Sequence, residues 1–471
     1  MTIKQENIKD LGYSSKKATA YSFGQLPVII SFQGFTFLIF TFYFAVVGLN
    51  IVLISIGFII WSIWNGLNDP ILGNLSDRTH TRWGRRLPWL MFSLFPIAII
   101  MFLLFTPPIT LGIEDQMTNF LYFIIIIILF ELFFSMFDIN YISLLPEVFI
   151  TTEERTKANN FRQTFAIIGL IFAFVLPTLF IPDLTNRKFL VNYQIYGIAV
   201  AIIIILAGLF FLKFTPKEKA EFQDEYKNAP SFGKSIKLCL KNKSFRWFLP
   251  IEIGSWFVYG MLPTIVPLYG KFVLGIGEGE SIFLALLLGL TFISAALFMN
   301  LLWKPVVQKK GLRKTWLISK SIWILTLIPL MFIQDVLIGL FVFFFIGIGL
   351  AGSLYIYDLI IADIIDEDEV ITGTRREASY YGVLIFFQRI ATIFVFLTIS
   401  LVFTNVGWAV YEPENVTADV IFGLRMLICI FPILALAVAI FAIYKYPLDG
   451  EYLRSVKEKL QKLHEEKKMR V

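Results

Sequence analysis

The sequence predicts an all-α polytopic membrane protein with twelve transmembrane helices in two six-helix bundles. Three observations predict it: a composition too apolar for a water-facing surface, about twelve apolar runs of spanning length, and Lys and Arg gathered on one side of those runs. Of 471 residues, 57% are hydrophobic and only 16% charged, with a mean hydropathy of +0.74. A soluble chain carries about 25% charge. An ordinary cytosolic enzyme, a disordered chain and a nucleic-acid-binding domain are therefore excluded. The net charge of +6 comes from the position of basic loops rather than from a nucleic-acid patch.

A helix needs roughly 20 apolar residues to cross about 30 Å of hydrocarbon. In chain order the runs cover 20–48, 51–77, 87–108, 119–147, 158–182, 191–214, 245–273, 281–305, 313–333, 336–363, 377–405 and 418–446. They are apolar on every face, unlike the alternating strands of a membrane barrel. When the loops are numbered alternately, thirty-five of the 41 Lys and Arg fall on one side. Three (Arg187, Lys188 and Lys271) fall on the other, and Lys320, Arg389 and Arg425 lie inside spans. The bias predicts an even number of spans in the plasma membrane, with both termini cytoplasmic. The expected organisation is a cytoplasmic N-terminus 1–19, an N-terminal bundle 20–214, a cytoplasmic linker 215–244, a C-terminal bundle 245–446 and a cytoplasmic tail 447–471. In the tail, Leu453, Val456, Leu460 and Leu463 recur at helical spacing amid Lys and Glu, which predicts an amphipathic helix docked on the cytoplasmic face.

The halves carry weak internal correspondences. Glu154–Phe165 after span four aligns with Thr374–Leu384 after span ten, and Gly84–Arg86 after span two with Gly311–Lys314 after span eight. Similar offsets near half the length fit a parallel duplication. Cys239 and Cys429 lie in a basic linker and an apolar run, so no disulfide is expected. His80 and His464 lie outside the spans, which leaves no histidine for a buried metal site or proton relay. No Walker, kinase or Ser/His/Asp pattern appears, so neither an enzyme nor a primary pump is expected.

Ionisable residues within spans are costly and mark function. They are Asp69, Glu131, Asp138, Arg162, Glu252, Lys320, Asp358, Asp363, Arg389 and Arg425. Asp69, Asp138, Arg162, Glu252 and Asp358 fall in one layer, about 10–13 Å from the cytoplasmic ends of their spans, which points to a shared polar cavity. Asp363, near its helix end, is expected in water. In Trp64–Pro70, Asn65 and Asp69 share a helix face with Asn68 beside them; Ser135 and Asp138 share a face on span four. Oxygen ligands from two helices suit a hard monovalent cation, with Asp69 as the only carboxylate, and sodium as the metal if one binds. The following stretch, Gly73–Trp89, reads as a gate. Gly73 permits close helix approach, Asp77 can pair with an Arg, and Arg78, Arg85 and Arg86 hold the loop at the cytoplasmic surface. Arg375, after span ten, belongs with them.

At these residues the chain resembles the glycoside–pentoside–hexuronide:cation symporter family, the melibiose-permease-like branch of the major facilitator superfamily. The segments that carry the resemblance are 68–89, 137–147, 154–165 and 361–383. It implies the major facilitator fold, a central site and alternating access. It implies a cation site at Asn68, Asp69 and Ser135, with Asn65 where the family has a second acid. It implies sugar contacts at Asp138, Arg162 and Arg389, and we group Tyr141, Asp358 and Glu252 with them. Two departures from the family's sugar site stand out: Val28 and Ile29 replace a Lys-Asp pair, and Ile142 replaces a Trp.

The expectation is a monomeric secondary transporter that couples a sugar or related polar solute to sodium or protons, with no cofactor beyond that ion. Its partners are a small-molecule substrate, a monovalent cation and the lipid bilayer, with no nucleic acid. The alternative on the same scaffold is a symporter of a lysolipid-like amphipath. A non-transporting membrane receptor would leave the buried charges unexplained.

Overall fold

The computed structural model describes residues 15–79, 81–108, 115–149, 152–215 and 232–469. His80, the N-terminus before Ser15 and most of the linker lie outside that set, as does the side chain of Asp77. Helix α1 runs from Ser15–Ser22 through Gln25–Thr41 into a π-helical turn, Phe42–Val47. It is followed by α2 (Ile51–Asp77), α3 (Leu87–Leu103), α4 (Gln116–Val148), α5 (Thr152–Phe180) and α6 (Leu190–Phe214). A short linker helix, α7 (Phe232–Cys239), precedes α8 (Lys243–Phe272). Helix α9 joins Ile282–Phe298 to Lys304–Lys310 through a π-helical turn at Met299–Trp303; α10 is Leu312–Leu327. The last spans are α11 (Val336–Thr372), α12 (Glu377–Asn405) and α13, in which Ala418–Arg425 and Phe431–Lys445 flank a π-helical turn at Met426–Ile430. The tail forms α14 (Gly450–Met469). Among the described residues ten helical runs are long and apolar enough to cross a membrane; the shorter α3 and α10 complete twelve.

Local chemistry explains where the helices begin. Asp115 accepts the Thr118 N–H at 3.0 Å to start α4, Asn242 accepts that of Phe245 at 2.8 Å to start α8, and Asp335 accepts those of Leu337 and Ile338 to start α11. Each satisfies an amide that a helix start leaves unpaired. Pro70 sits inside α2 without ending it.

The expected end of span ten is nine residues short: α11 continues from 363 to Thr372. The added turns are acidic, and cations hold them. Asp363 is buried and ion-paired with Lys457 at 2.5 Å rather than in water. Arg376 pairs with Asp368, Arg375 with Asp366 and Glu369 at 3.0 Å, and Tyr452 donates to Glu367 at 2.7 Å. Lys457 also meets Asp366 at 2.7 Å. The tail helix thus clamps α11, with Val456 and Leu460 turned inward.

Among the described residues, the main helix contacts between the first and second halves are α1 with α8, α2 with α12, and α5 with α9. Among the described residues, the hydrogen bonds and ion pairs joining the halves gather at the end poor in Lys and Arg. The Ile51 N–H donates to the Ala409 carbonyl at 2.8 Å, and Ser55 Oγ to the Phe396 carbonyl at 2.9 Å. The Pro182 carbonyl accepts from both the Gly279 N–H and Ser281 Oγ. Lys271 pairs with Asp183 at 2.7 Å, and Lys188 with Glu278. Burial opposes the charge of Asp183, but hydrogen bonds from Lys271 and Thr185 outweigh it and hold the carboxyl below its ordinary value. The charge-poor end is clasped shut. The deepest bond across the interface is Gln33 Nε2 to Tyr259 Oη at 3.5 Å.

Candidate functional site

Helices α2 and α4 bring the expected cation residues together. Ser135 Oγ donates to Asp69 Oδ1 at 2.6 Å, and the same oxygen lies 3.1 Å from Glu131 Oε1. Asn68 Nδ2 donates to the Glu131 carbonyl at 3.3 Å. Asn65 is fully buried beside Glu131, and neither of its amide atoms makes a hydrogen bond. Asp69 is therefore not the only carboxylate of this cluster. Glu131 lies four residues before Ser135 on α4, so both point to one face. It supplies from span four the acid that Asn65 does not supply from span two.

The geometry has a direct chemical consequence. A hydroxyl has one proton and cannot donate to two carboxylates at once. Glu131 Oε2 has no hydrogen-bond partner, and Glu131 is 1% exposed. An unpaired buried carboxylate is expensive and is relieved by a proton or a bound cation. The donors present (two carboxylates, a hydroxyl and the unpartnered Asn65 amide) are hard oxygens that fit sodium. Asp69 is half-buried and so reachable, whereas Glu131 is behind it.

Asp138, Arg162 and Arg389 adjoin this cluster. Asp138 lies within electrostatic reach of Asp69, Arg162 and Arg389, and Arg389 also faces Asp69 and Glu131. All three are half-buried. Arg389 comes from α12 in the other half and lines a cleft against α2 with Ser62, Leu67 and Phe386. Charged groups from α2, α4, α5 and α12 thus meet where the halves meet.

Three expected substrate residues stand elsewhere. Tyr141 is fully buried, its ring stacked on Tyr21 at 4.7 Å, so it backs the site without lining it. Glu252 is 3% exposed inside the second half, next to Lys320. Asp358 is exposed on α11, beside Glu252 rather than beside Asp138. Val28 is buried and Ile29 packs on Gly169 of α5, so those apolar residues fill a helix contact.

The gate residues divide between the halves. Arg86 donates to Ser76 Oγ at 2.9 Å, and Ser76 bonds Asn140, which ties the loop after α2 to α4 within the first half. Arg85 is buried and Arg78 exposed in the same half. Arg375 serves the acidic end of α11 instead. Gly73 permits no close approach here: a Cβ on it would meet nothing within 4 Å. The tight contact comes two turns earlier, where a Cβ on Gly66 would stand 2.9 Å from Phe386 of α12. Closure at the charge-poor end leaves the α2–α12 pair in touch at Gly66 and apart by Gly73.

Sequence reasoning left Lys320 and Arg425 unassigned. Arg425 hydrogen-bonds the Met331 and Ile333 carbonyls and caps the end of α10. Lys320 is buried among hydroxyls of α8 and α11; only the rarity of a mid-span Lys could have singled it out.

The model of the family described as MFS/sugar transport protein matches residues 20–450. An uncharacterized symporter of Synechocystis is 24% identical, over 94% of this chain and 96% of its own length. The sodium-dependent lysophosphatidylcholine symporter 1 of Mus musculus is 24% identical, over 86% of this chain and 80% of its own. Among solved structures, the nucleoside transporter NupG superposes with a TM-score of 0.64 at 15% identity, over 92% of this chain and 99% of that one. This last likeness concerns the fold alone.

Proposed function

Since the chain belongs to the MFS/sugar transport family, a melibiose-permease-like group of the major facilitator superfamily, we propose that it is a cation-coupled symporter of a sugar or related polar solute, working by alternating access. The observation that supports this most is the pair of carboxylates, Asp69 and Glu131, competing for one hydroxyl at the junction of the halves. A sodium ion or proton bound there relieves the competition. Asp138 and Arg162, one step away, offer an acceptor and a donor set for solute hydroxyls, and Arg389 brings the second half to the same place. Cation binding neutralises the cluster and changes what Arg389 is attracted to, which links ion occupancy to the approach of the halves. The clasped end is the extracellular one in this reading, so the structure presents its site inward, with both termini cytoplasmic in a monomer.

A second reading, symport of a lysolipid-like amphipath, is favoured by the likeness to the mouse sodium-dependent lysophosphatidylcholine symporter 1. Val28, which is buried, and Ile29, which packs on Gly169, give it no added support.

The test is uptake into proteoliposomes from a panel of sugars and lysolipids, under an imposed sodium or pH gradient. Asp69→Asn and Glu131→Gln each leave a bound cation short of one charge at membrane depth, which costs about 3 kcal/mol, or roughly a hundredfold in affinity. Both variants should lose gradient-driven accumulation and keep downhill exchange. Full accumulation by both under either gradient would overturn coupling at this site.

A further inference from the structure

The second half contains a buried ionisable pair that the cation site does not use. Lys320 of α10 is 0% exposed; its ammonium donates to Ser255 Oγ of α8 at 2.6 Å and to Ser353 Oγ of α11. The Trp323 ring lies 5.2 Å from it. Glu252, three residues before Ser255 on α8, is the acid facing Lys320. It makes no ion pair within 4 Å, and its Oε1 has no hydrogen-bond partner. From α8, Trp256 hydrogen-bonds the Glu252 carboxyl, and from α11 Asp358 lies within electrostatic reach of it. Tyr357 of α11 is nearby and accepts from Gln388 of α12 at 3.2 Å. Helix α13 meets α8 here with Ala435 and Ala439, against Gly254, and adds no charge.

This is not the arrangement of a structural salt bridge. Such a pair closes to contact and satisfies its remaining oxygens, because a buried charge is tolerated only when fully bonded. Here two hydroxyls hold the ammonium while one carboxylate oxygen is left bare. Ser255 Oγ donates its one proton to the Ile251 carbonyl at 2.6 Å while accepting from the ammonium, so it gives nothing to the bare carboxylate oxygen. The bare oxygen has room for one proton. Asp358 is exposed and adjoins Glu252, so it connects the sealed pair to water.

We propose that Glu252, facing Lys320, is a proton-binding site distinct from the Asp69–Glu131–Ser135 cluster and reached by way of Asp358. One proton from water adds to the Glu252 carboxylate and the pair goes from net neutral to +1; the same proton leaves by the same route. Its use in transport rests on the symport reading, while its titration does not.

The test needs no solute. Purified protein in liposomes is carried from pH 9 to pH 5 while proton uptake is followed with an indicator dye and the carboxylic acid C=O band by infrared difference spectroscopy. Glu252→Gln should take up one proton fewer and lose one titrating band; Glu252→Asp should restore both. Lys320→Met should displace the midpoint of that band, and Asp358→Asn should slow uptake without changing the number of protons. Thermal melts establish that each variant is folded. If Glu252→Gln does not fold, the Lys320→Met displacement decides the matter. Unchanged proton number and bands in folded Glu252→Gln, or an unmoved midpoint in Lys320→Met, would overturn the proposal. Failure of gradient-driven uptake with the Glu252 titration intact would overturn symport and leave this site standing.

Discussion

The two halves treat charge at membrane depth in opposite ways. In the first, Asp69, Asp138 and Arg162 are half-exposed where the halves meet, and their partners come from four helices. In the second, Lys320 and Glu252 are sealed inside a bundle, and the Lys320 ammonium bonds serines of its own half. The ingredients are alike: a carboxylate, a cation and serine hydroxyls. What differs is access. An open cluster can exchange its counter-ion for a solute or a metal ion, whereas a sealed one can exchange nothing larger than a proton. The same burial that makes the second cluster selective also makes it a structural liability.

That contrast predicts its largest effect in stability. Lys320→Met leaves Glu252 buried without a cation, which costs about 3–5 kcal/mol. The double variant Lys320→Met with Glu252→Gln should recover most of it, while Asp69→Asn should leave the melt nearly unchanged, because it relieves repulsion from Glu131. Thermal unfolding of purified protein measures all three. An equal loss in Asp69→Asn would break the contrast. A smaller effect sharpens the open side. Ser135→Ala removes the hydroxyl between Asp69 and Glu131 and one net hydrogen bond of about 1 kcal/mol. Sodium affinity, read by calorimetry, should fall about fivefold, with no more than the small loss of melt that one hydrogen bond carries. A change in melt without loss of affinity would make Ser135 structural.

An effect of similar size concerns the clasp. Its carboxyl, Asp183, is held below its ordinary value of 3.8 by Lys271 and Thr185, against burial. A lowered value means that the stabilisation is complete above pH 3.8 and fades as the pH falls through the folded-state value. Acidification from pH 7 to pH 5 should therefore leave the clasp shut, and loosening should begin below pH 3.8. Asp183→Asn should mimic the acid state, shifting the balance toward opening by about fivefold, as expected for a partly screened pair worth about 1 kcal/mol. Reactivity of a cysteine placed at Ser281 reads the opening. Loosening between pH 7 and pH 5 would assign the clasp to another group.

How much of this could be read beforehand follows from what periodicity can and cannot say. Spacing along one helix brought Asn65 and Asp69 onto a face and predicted the tail helix from Leu453, Val456 and Leu460. The same i, i+4 rule applied to Glu131 and Ser135 would have joined them, but the expectation from sequence paired Ser135 with Asp138 and held Asp69 to be the only carboxylate. Residues joined only by packing were not legible. Lys320 draws its hydroxyls from two other helices, and Tyr141 is removed from the cavity by the ring of Tyr21. Asp363 looked wet because it ends an apolar run; Lys457, nearly a hundred residues later, is what buries it. Gly73 has no helix packed on it, which its spacing before Asp77 could not reveal.

The π-helical turns at Phe42–Val47, Met299–Trp303 and Met426–Ile430 carry a consequence for how such a chain can change length. One residue added to a plain α-helix rotates everything beyond it by about 100°, which would turn a lipid-facing stripe inward. A wide turn absorbs that residue locally and leaves both flanking stretches aimed as before. Arg425 can thus cap α10 on one side of such a turn while Leu436 and Ala439 stay buried on the other. These three places are where the helices can gain or lose a residue in evolution without re-aiming their faces.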